Sequence, residues 1–210
     1  LRRPGRRLCP EQAGLMDRLS DARALLPWQA GCIRLDTLTV EALLCLRHLE
    51  DEEGFERLTC RPVHLRGADE LRIRYQTALE DPATLICGVY LQGTLRPVGK
   101  LTASNYNSRN RSAEVGYFLA PPWRGKGLMR QALSALCSML LLEFGLNKLY
   151  AQTGAFNAPS IRLLERVGFR QEGVLRQHHE LNGVLWDDAI FSLLQQDYTP
   201  DPKRPAGAGR

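Results

Sequence analysis

The stretch AEVGYFLAPPWRGKGLMRQAL, residues 113–133, contains a strand, a turn and the start of a helix. Its first seven residues are typical of a β-strand, and the apolar run from Leu128 predicts a mostly buried helix to about Phe144. Gly125 and Gly127 lie between the two. A helix start exposes backbone N–H groups and the positive end of the helix dipole, and glycines let a ligand approach closely. The stretch therefore predicts an anion site, most simply for a phosphate.

Two familiar phosphate motifs do not fit this turn. Gly127 stands where the Walker pattern needs Ser or Thr after Lys126, and Arg130 stands where the third glycine of GxGxxG would fall. The turn also fits a plain connection between a strand and a helix, with Arg124 and Lys126 as solvated cations. The residues of the turn alone leave both interpretations open.

The rest of the chain predicts strands and helices in mixed order. We predict strands at 32–35, 84–90, 97–103, 112–119 and 148–153, a hairpin over 174–194 with its turn at Asn182-Gly183, and helices at 11–26, 39–49 with Thr39 as N-cap, 69–79, 128–144 and 158–168. Strands outnumber helices, which indicates an α/β protein with a largely antiparallel sheet. We predict an N-terminal extension that is partly disordered or helical (1–30), a single domain (31–198) and a flexible tail (199–210).

The composition excludes several classes of function. The formal net charge is +5, but the first seven and last ten residues carry more than this excess, so residues 8–200 have a formal charge of −1. A nucleic-acid-binding surface needs clustered cations on the folded body, so we predict no nucleic-acid partner. No run of 18 apolar residues and no signal-peptide core is present, which predicts no membrane partner and a cytoplasmic location.

The six cysteines lie far apart, without a CxxC pair and without a histidine at metal-ligand spacing. This pattern argues against a zinc site and against a disulfide framework. We therefore predict no metal and expect the cysteines to be small buried thiols in a reducing compartment.

Residues 112–194 resemble the GNAT superfamily of acyl-CoA-dependent N-acetyltransferases. In that family the motif Q/R-x-x-G-x-G/A binds the pyrophosphate of acetyl-CoA, and here the motif positions are Arg124, Gly125, Lys126, Gly127, Leu128 and Met129. Met129 departs from the usual small last residue. The pattern W-x-G-K-G-L-M is similar to the branch that acetylates the N-terminal serine or alanine of ribosomal proteins.

The resemblance implies the GNAT fold, with helices that flank a mixed, mostly antiparallel sheet and a strand pair that splays at the acyl-CoA site. It implies acetyl-CoA as co-substrate. It further implies that backbone groups of Tyr117, Phe118 and Leu119 pair with the pantetheine arm, in the way that an added strand pairs with a sheet edge.

A second match, FNAPSIRLLERVGF, spans residues 156–169. The family carries an asparagine, here Asn157, whose side chain bonds the cofactor arm. Many members have a tyrosine seven residues later that protonates the departing thiolate, but this chain has Leu164 there. The ribosomal-protein branch uses a serine three residues after the asparagine, and Ser160 occupies that position. Taken alone, Ser160 also fits an ordinary serine at a helix N-terminus.

A base or a water chain must take a proton from the attacking amine. Alignment on the Asn182-Gly183 turn places His179 where the resembling branch has a glutamate. Glu114 is a second candidate base, although a solvated edge carboxylate is an equal interpretation. Asp187 and Asp188 could attract a cationic amine or serve only solubility.

These patterns together predict direct acetyl transfer from acetyl-CoA to a primary amine. The first candidate acceptor is the N-terminal α-amine of a protein such as a ribosomal protein. The alternatives are a small amine, such as a polyamine, an aminoglycoside or an amino acid, and a non-catalytic acyl-CoA-binding module. The sequence allows a homodimer but contains nothing that requires one.

Overall fold

The structure is a computed structural model that describes residues 18–49, 54 and 67–200 of the 210-residue chain. Its strands are β1 (Trp28–Ala30), β2 (Ile33–Asp36), β3 (Leu85–Leu91), β4 (Pro97–Asn107), β5 (Ser112–Leu119), β6 (Lys148–Gly154), β7 (Arg170–Leu181) and β8 (Val184–Leu194). Its described α-helices are α1 (Val40–Arg47), α2 (Ala68–Glu80), α3 (Leu128–Cys137) and α4 (Ala158–Val167). A π-helix (Ser138–Glu143) continues α3, and Leu19–Leu25, Pro121–Trp123 and Gln195–Asp197 form 3-10 helices.

The eight strands form one sheet in the order β1-β2-β3-β4-β5-β6-β8-β7. Each neighbouring pair is antiparallel except β5 and β6, which are parallel. That parallel pair joins only three residues of each strand, Ser112–Glu114 with Lys148–Tyr150. Beyond it the described strands separate, which confirms the predicted splayed pair in a mixed, mostly antiparallel sheet.

Successive strand residues point to opposite faces of the sheet. Ala113 and Val115 of β5 join the main core, which also contains the buried side chains of α3 and α4. Phe118 of the same strand packs instead against Leu46 of α1. Helix α2 covers the same side, where Tyr75 packs against residues of β3. We call these two sides the α3 face and the α1 face.

Most predicted strands and helices are confirmed, and the differences concern the segment at 11–26 and the short strand β1. The Thr39 side chain accepts a hydrogen bond from the Ala42 N–H, as expected of the N-cap of α1. The predicted helix at 11–26 is helical in its described part, as the 3-10 helix Leu19–Leu25 and not as an α-helix, and its start lies outside the described residues. Strand β1 has only three residues, too few for a sequence pattern. It extends the packed sheet to residue 28, before the predicted domain start at residue 31.

The described cysteines are free thiols of two kinds. Cys87 and Cys137 are buried as predicted, and burial raises the pKa of Cys87 to about 12. Cys32 and Cys45 are exposed, so the prediction of buried thiols is wrong for them, because one lies in the β1–β2 turn and the other on the outer side of α1. Cys9 and Cys60 lie outside the described residues. No described helix is long and apolar enough to span a membrane.

Candidate active site

The gap between β5 and β6 is the opening around which the candidate residues lie. The Ala120 N–H donates to the Val98 carbonyl at 2.9 Å, which fixes the alternation of hydrogen bonds between β5 and β4. This alternation turns the backbone groups of Tyr117 and Leu119 toward β6, and those of Phe118 toward β4. The expected pairing with a pantetheine arm therefore concerns Tyr117 and Leu119, because Phe118 faces the other way.

The glycine turn presents an open cradle at the end of this gap. Gly125 and Gly127 have φ angles of 76° and 73°, a region that favours glycine, and no atom lies within 4 Å of a Cβ built on either residue. Helix α3 begins at Leu128 without a side-chain cap, so its first N–H groups have no acceptor within the helix. The Arg124 N–H donates to the Pro121 carbonyl, so the first N–H group of the motif that can face a ligand is that of Gly125. The turn fits a pyrophosphate.

The two cations of the turn lie back against the protein. Arg124 Nε donates to the Leu119 carbonyl at 2.8 Å, and its guanidinium carbon is 5.8 Å from the centre of the Phe118 ring. Lys126 Nζ donates to the Pro122 carbonyl at 2.9 Å and lies 4.9 Å from the Trp123 ring centre. Both side chains are exposed beside the turn, where they can turn toward a ligand. The Leu119 carbonyl has a second lone pair, so the hydrogen bond from Arg124 does not exclude a pantetheine arm.

Asn157 and Ser160 occupy the N-terminus of α4, where they have different roles. Asn157 is the N-cap, and its side-chain oxygen accepts a hydrogen bond from the Ser160 N–H at 3.3 Å. Ser160 is therefore the third residue of the helix and not its N-cap, so it still fits an ordinary serine in the first turn as well as a catalytic one. The Ser160 hydroxyl, in a side chain that is 9% exposed, lies 2.5 Å from the Tyr117 hydroxyl. Leu164, at the usual tyrosine position, is fully buried in the core.

The Tyr117–Ser160 contact spans the gap, because one residue lies on β5 and the other follows β6. The sequence singled out Tyr117 only for its backbone groups, so the role of its side chain was missed. The two residues are 43 positions apart, and no local pattern announces such a pair.

His179 lies in a buried polar cluster on the α1 face. Its side chain is 6% exposed, and its Nδ1 is 3.4 Å from Oδ1 of the fully buried Asp188, although the two atoms lack hydrogen-bond geometry. The other Asp188 oxygen accepts a hydrogen bond from Gln152 Nε2 at 2.7 Å. The Phe156 ring packs edge-on against His179 with 5.0 Å between ring centres, and against Trp186 at 5.6 Å.

Burial corrects the interpretation of Asp188 as a residue that serves solubility. Asp188 points to the same face as Ile190 and Ser192 of its strand and has no exposed surface, so its charge faces His179 and Gln152. The sequence offered only a weak signal, since the Asp187-Asp188 pair does not show which residue points inward. His178, in contrast, is exposed.

Glu114 lies on the same face but far from His179. Its side chain accepts a hydrogen bond from Asn105 Nδ2 at 2.5 Å. Glu114 pairs with Tyr150 at the point where β5 and β6 begin to separate, while Asp188 pairs with Gly154 at the far end of β6. Two strand spacings of about 4.8 Å and four residues of about 3.3 Å place the Glu114 and Asp188 Cα atoms roughly 16 Å apart. Glu114 and His179 therefore lie too far apart to act on one proton together, and they stay alternative candidates for the base.

Residues 34–170 match the acetyltransferase (GNAT) domain family. The chain belongs to the GNAT acetyltransferase family. It is 32% identical over 133 residues to the uncharacterized N-acetyltransferase p20 of Bacillus licheniformis, a match that covers 63% of this chain and 74% of that protein. It is 31% identical over 86 residues to the ribosomal protein uS5-alanine N-acetyltransferase of Escherichia coli (strain K12), which covers 41% of this chain and 44% of the relative.

A spermidine N-acetyltransferase from Vibrio cholerae, solved in complex with CoA and spermine, has a similar fold. Its TM-score is 0.73 with 24% identity, over 80% of this chain and 98% of the other. The predicted family is thus confirmed, and this GNAT protein is an acyltransferase whose co-substrate is acetyl-CoA. Family membership speaks against the alternative of a non-catalytic acyl-CoA-binding module.

Proposed function

We propose that this GNAT enzyme acetylates the N-terminal α-amine of a protein, with Ser160 as general acid and His179 as general base. The observation that carries the proposal is the Ser160 hydroxyl, which lies at the gap beside Tyr117 while the usual tyrosine position holds buried Leu164. The relative named as a ribosomal protein uS5-alanine N-acetyltransferase supports the class of acceptor.

The proposed donor site is the turn from Arg124 to Met129 together with Asn157. Open N–H groups at the start of α3 would bind the pyrophosphate, and the exposed cations Arg124 and Lys126 would balance its charge. The backbone of Tyr117 and Leu119 supports a pantetheine arm in the gap. Leu128 and Met129 contribute N–H groups only, since their side chains are buried.

The proposed acceptor site is the cluster around His179. A neutral imidazole beside the acceptor can take the proton of an attacking ammonium group, which must be lost before the amine attacks. Asp188 is the proposed positioning residue, because its Oδ1 lies 3.4 Å from His179 Nδ1 and limits where the ring can lie. The amine then attacks the thioester directly, without an acyl-enzyme.

A small cationic amine is the second candidate acceptor. The Asp188 carboxyl group and the Phe156 ring, which both lie against His179, favour it, because carboxylates and aromatic faces both attract ammonium groups. The fold shared with a spermidine N-acetyltransferase does not decide between the two acceptors, since fold alone does not fix a substrate. A cytoplasmic location and a homodimer stay predictions.

The test is thiol release from acetyl-CoA with peptides that begin with Ala or Ser, the same peptides with a blocked N-terminus, and spermidine. We expect turnover on the free peptides only, and a loss in kcat of about 100-fold in Ser160→Ala. Ser134→Ala, a half-buried serine of α3, is the matched control and should keep wild-type rates. Turnover on spermidine but not on peptides would replace the proposed acceptor with the second candidate.

A further inference from the structure

The Tyr117 and Ser160 side chains form a pair of hydroxyl groups across the gap. Their hydroxyl oxygens lie 2.5 Å apart, and either hydroxyl can be the donor. Ser160 is nine-tenths buried, and Tyr117 packs partly against the main core. The pair joins β5 to the start of α4 across the gap, on the α3 face of the sheet.

A serine alone is a poor acid for a thiolate. When the C–S bond breaks, its electron pair stays on sulfur. If Ser160 then gives its hydroxyl proton to the sulfur, the serine oxygen becomes an alkoxide in a largely buried position. A phenol is a far better proton source, with an ordinary pKa of about 10. Such an alkoxide would therefore draw a proton from a tyrosine within hydrogen-bond distance.

We propose that Tyr117 is the proton source behind Ser160. The inference rests on the proposed function, in which Ser160 is the acid. Tyr117 donates its hydrogen bond to Ser160 Oγ, which directs the Ser160 hydrogen toward the gap. As the thioester C–S bond breaks, the Ser160 proton passes to sulfur and the Tyr117 proton passes to Ser160 Oγ. Solvent water then returns a proton to the phenolate, so Tyr117 is a positioning residue that also relays a proton.

The two faces of the sheet support this arrangement. Tyr117 has the odd-numbered parity of Ala113 and Val115, which point to the α3 face, and α4 packs on that face as well. The proposed base has the opposite parity, because His179 pairs with Trp186, which points with Asp188 to the α1 face. A thioester in the gap would meet the acid from one side and the amine with its base from the other. This separation keeps the acid and the base from exchanging a proton directly.

The experiment compares Tyr117→Phe, Ser160→Ala and the double variant by steady-state kinetics with the best acceptor of the wild type. We expect Tyr117→Phe to lower kcat about 10-fold, with the KM for acetyl-CoA within about twofold of the wild type. Because Tyr117 acts through Ser160, the double variant should be no slower than Ser160→Ala alone. The solvent isotope effect should fit two transferred protons in the wild type and one in Tyr117→Phe.

Tyr90→Phe is the matched control, since it removes a phenolic hydroxyl that donates to the Thr37 carbonyl at 2.9 Å, away from the gap. It should leave the kinetics unchanged. Losses that multiply in the double variant, an unchanged kcat in Tyr117→Phe, or a rise in KM alone would each overturn the relay. If the wild type acetylates only spermidine, the proposed acceptor is wrong. The relay would then be tested by the kcat values of the same variants relative to the wild type, measured with spermidine. No turnover with any amine would overturn both proposals.

Discussion

The donor end and the acceptor end of the gap are built in different ways. At the proposed donor end, one continuous stretch forms strand, turn and helix, and the proposed binding groups are backbone N–H groups at Gly125 and Leu128. At the acceptor end, side chains from β6, β7, β8 and the loop after β6 meet in one cluster around His179. The difference teaches that a backbone site survives many changes of side chain, whereas the acceptor site depends on each of its few members.

The largest effect should come from the acceptor end. We expect His179→Gln to lower kcat/KM about 100-fold, because the variant loses the base while its amide can still contact Asp188. Steady-state kinetics across pH with the best acceptor is the measurement. His178→Gln, at the exposed neighbouring position, is the matched control and should retain activity.

Glu114→Gln tests the alternative base by the same assay. Its carboxylate lies near the point where β5 and β6 separate and accepts from Asn105, so we expect less than a threefold change. A large loss in Glu114→Gln together with an active His179→Gln would assign the base to Glu114 and contradict the proposed role of His179.

A smaller effect is expected at the donor end, from Gly127→Val. A β-branched residue is strained at a φ of 73°, so the start of α3 must shift. Its N–H groups then no longer point toward the proposed pyrophosphate site. We expect the Kd and the KM for acetyl-CoA to rise about 10-fold, with kcat changed less than threefold. Isothermal titration measures the Kd, and steady-state kinetics measures the KM and kcat.

Gly93→Val separates strain from binding. Gly93 has a φ of 80°, and no atom lies within 4 Å of a Cβ built there, but it lies in the turn between β3 and β4. Gly93→Val should lower the melting temperature about as much as Gly127→Val does, without a change in the KM for acetyl-CoA. Equal rises in KM in the two variants would show that general destabilisation, and not the cradle, explains the effect.

The same contrast explains which features the sequence predicted. The strand at 112–119, the start of α3 at Leu128 and the end of α4 at Gly168 follow from local patterns of apolar residues, glycines and caps. The Tyr117–Ser160 bond and the buried Asp188 depend on which strands become neighbours, and sequence periodicity carries no such information. Resemblance to a family supplied Ser160 and His179 as candidates, but only the fold shows what lies beside each of them.

The smallest effect concerns a partly buried charge outside both ends of the gap, Lys100 of β4 on the α1 face. Burial, with repulsion from Arg74 and Arg47, lowers the pKa of Lys100 to about 8, and its Nζ lies 5.6 Å from the Tyr75 ring centre on the α1 face. An unfolded lysine keeps its proton to about pH 10.4, so between pH 8 and 10 the unfolded chain binds more protons than the folded one. Lys100 therefore destabilises the fold below pH 8, and this cost disappears as the pH rises.

Lys100→Met should accordingly raise the melting temperature by about 3 °C at pH 7, and by less at pH 10, in paired thermal scans against the wild type. Lys148→Met is the control, since that lysine pairs with Glu172 at 2.7 Å near the surface and should show a small effect of the opposite sign. A stabilisation by Lys100→Met that is equal at both pH values would attribute it to packing. A destabilisation at pH 7 would mean that the contact with Tyr75 outweighs the cost of burying the charge. Either result would show that the charge of Lys100 is not a net cost to the stability of the fold.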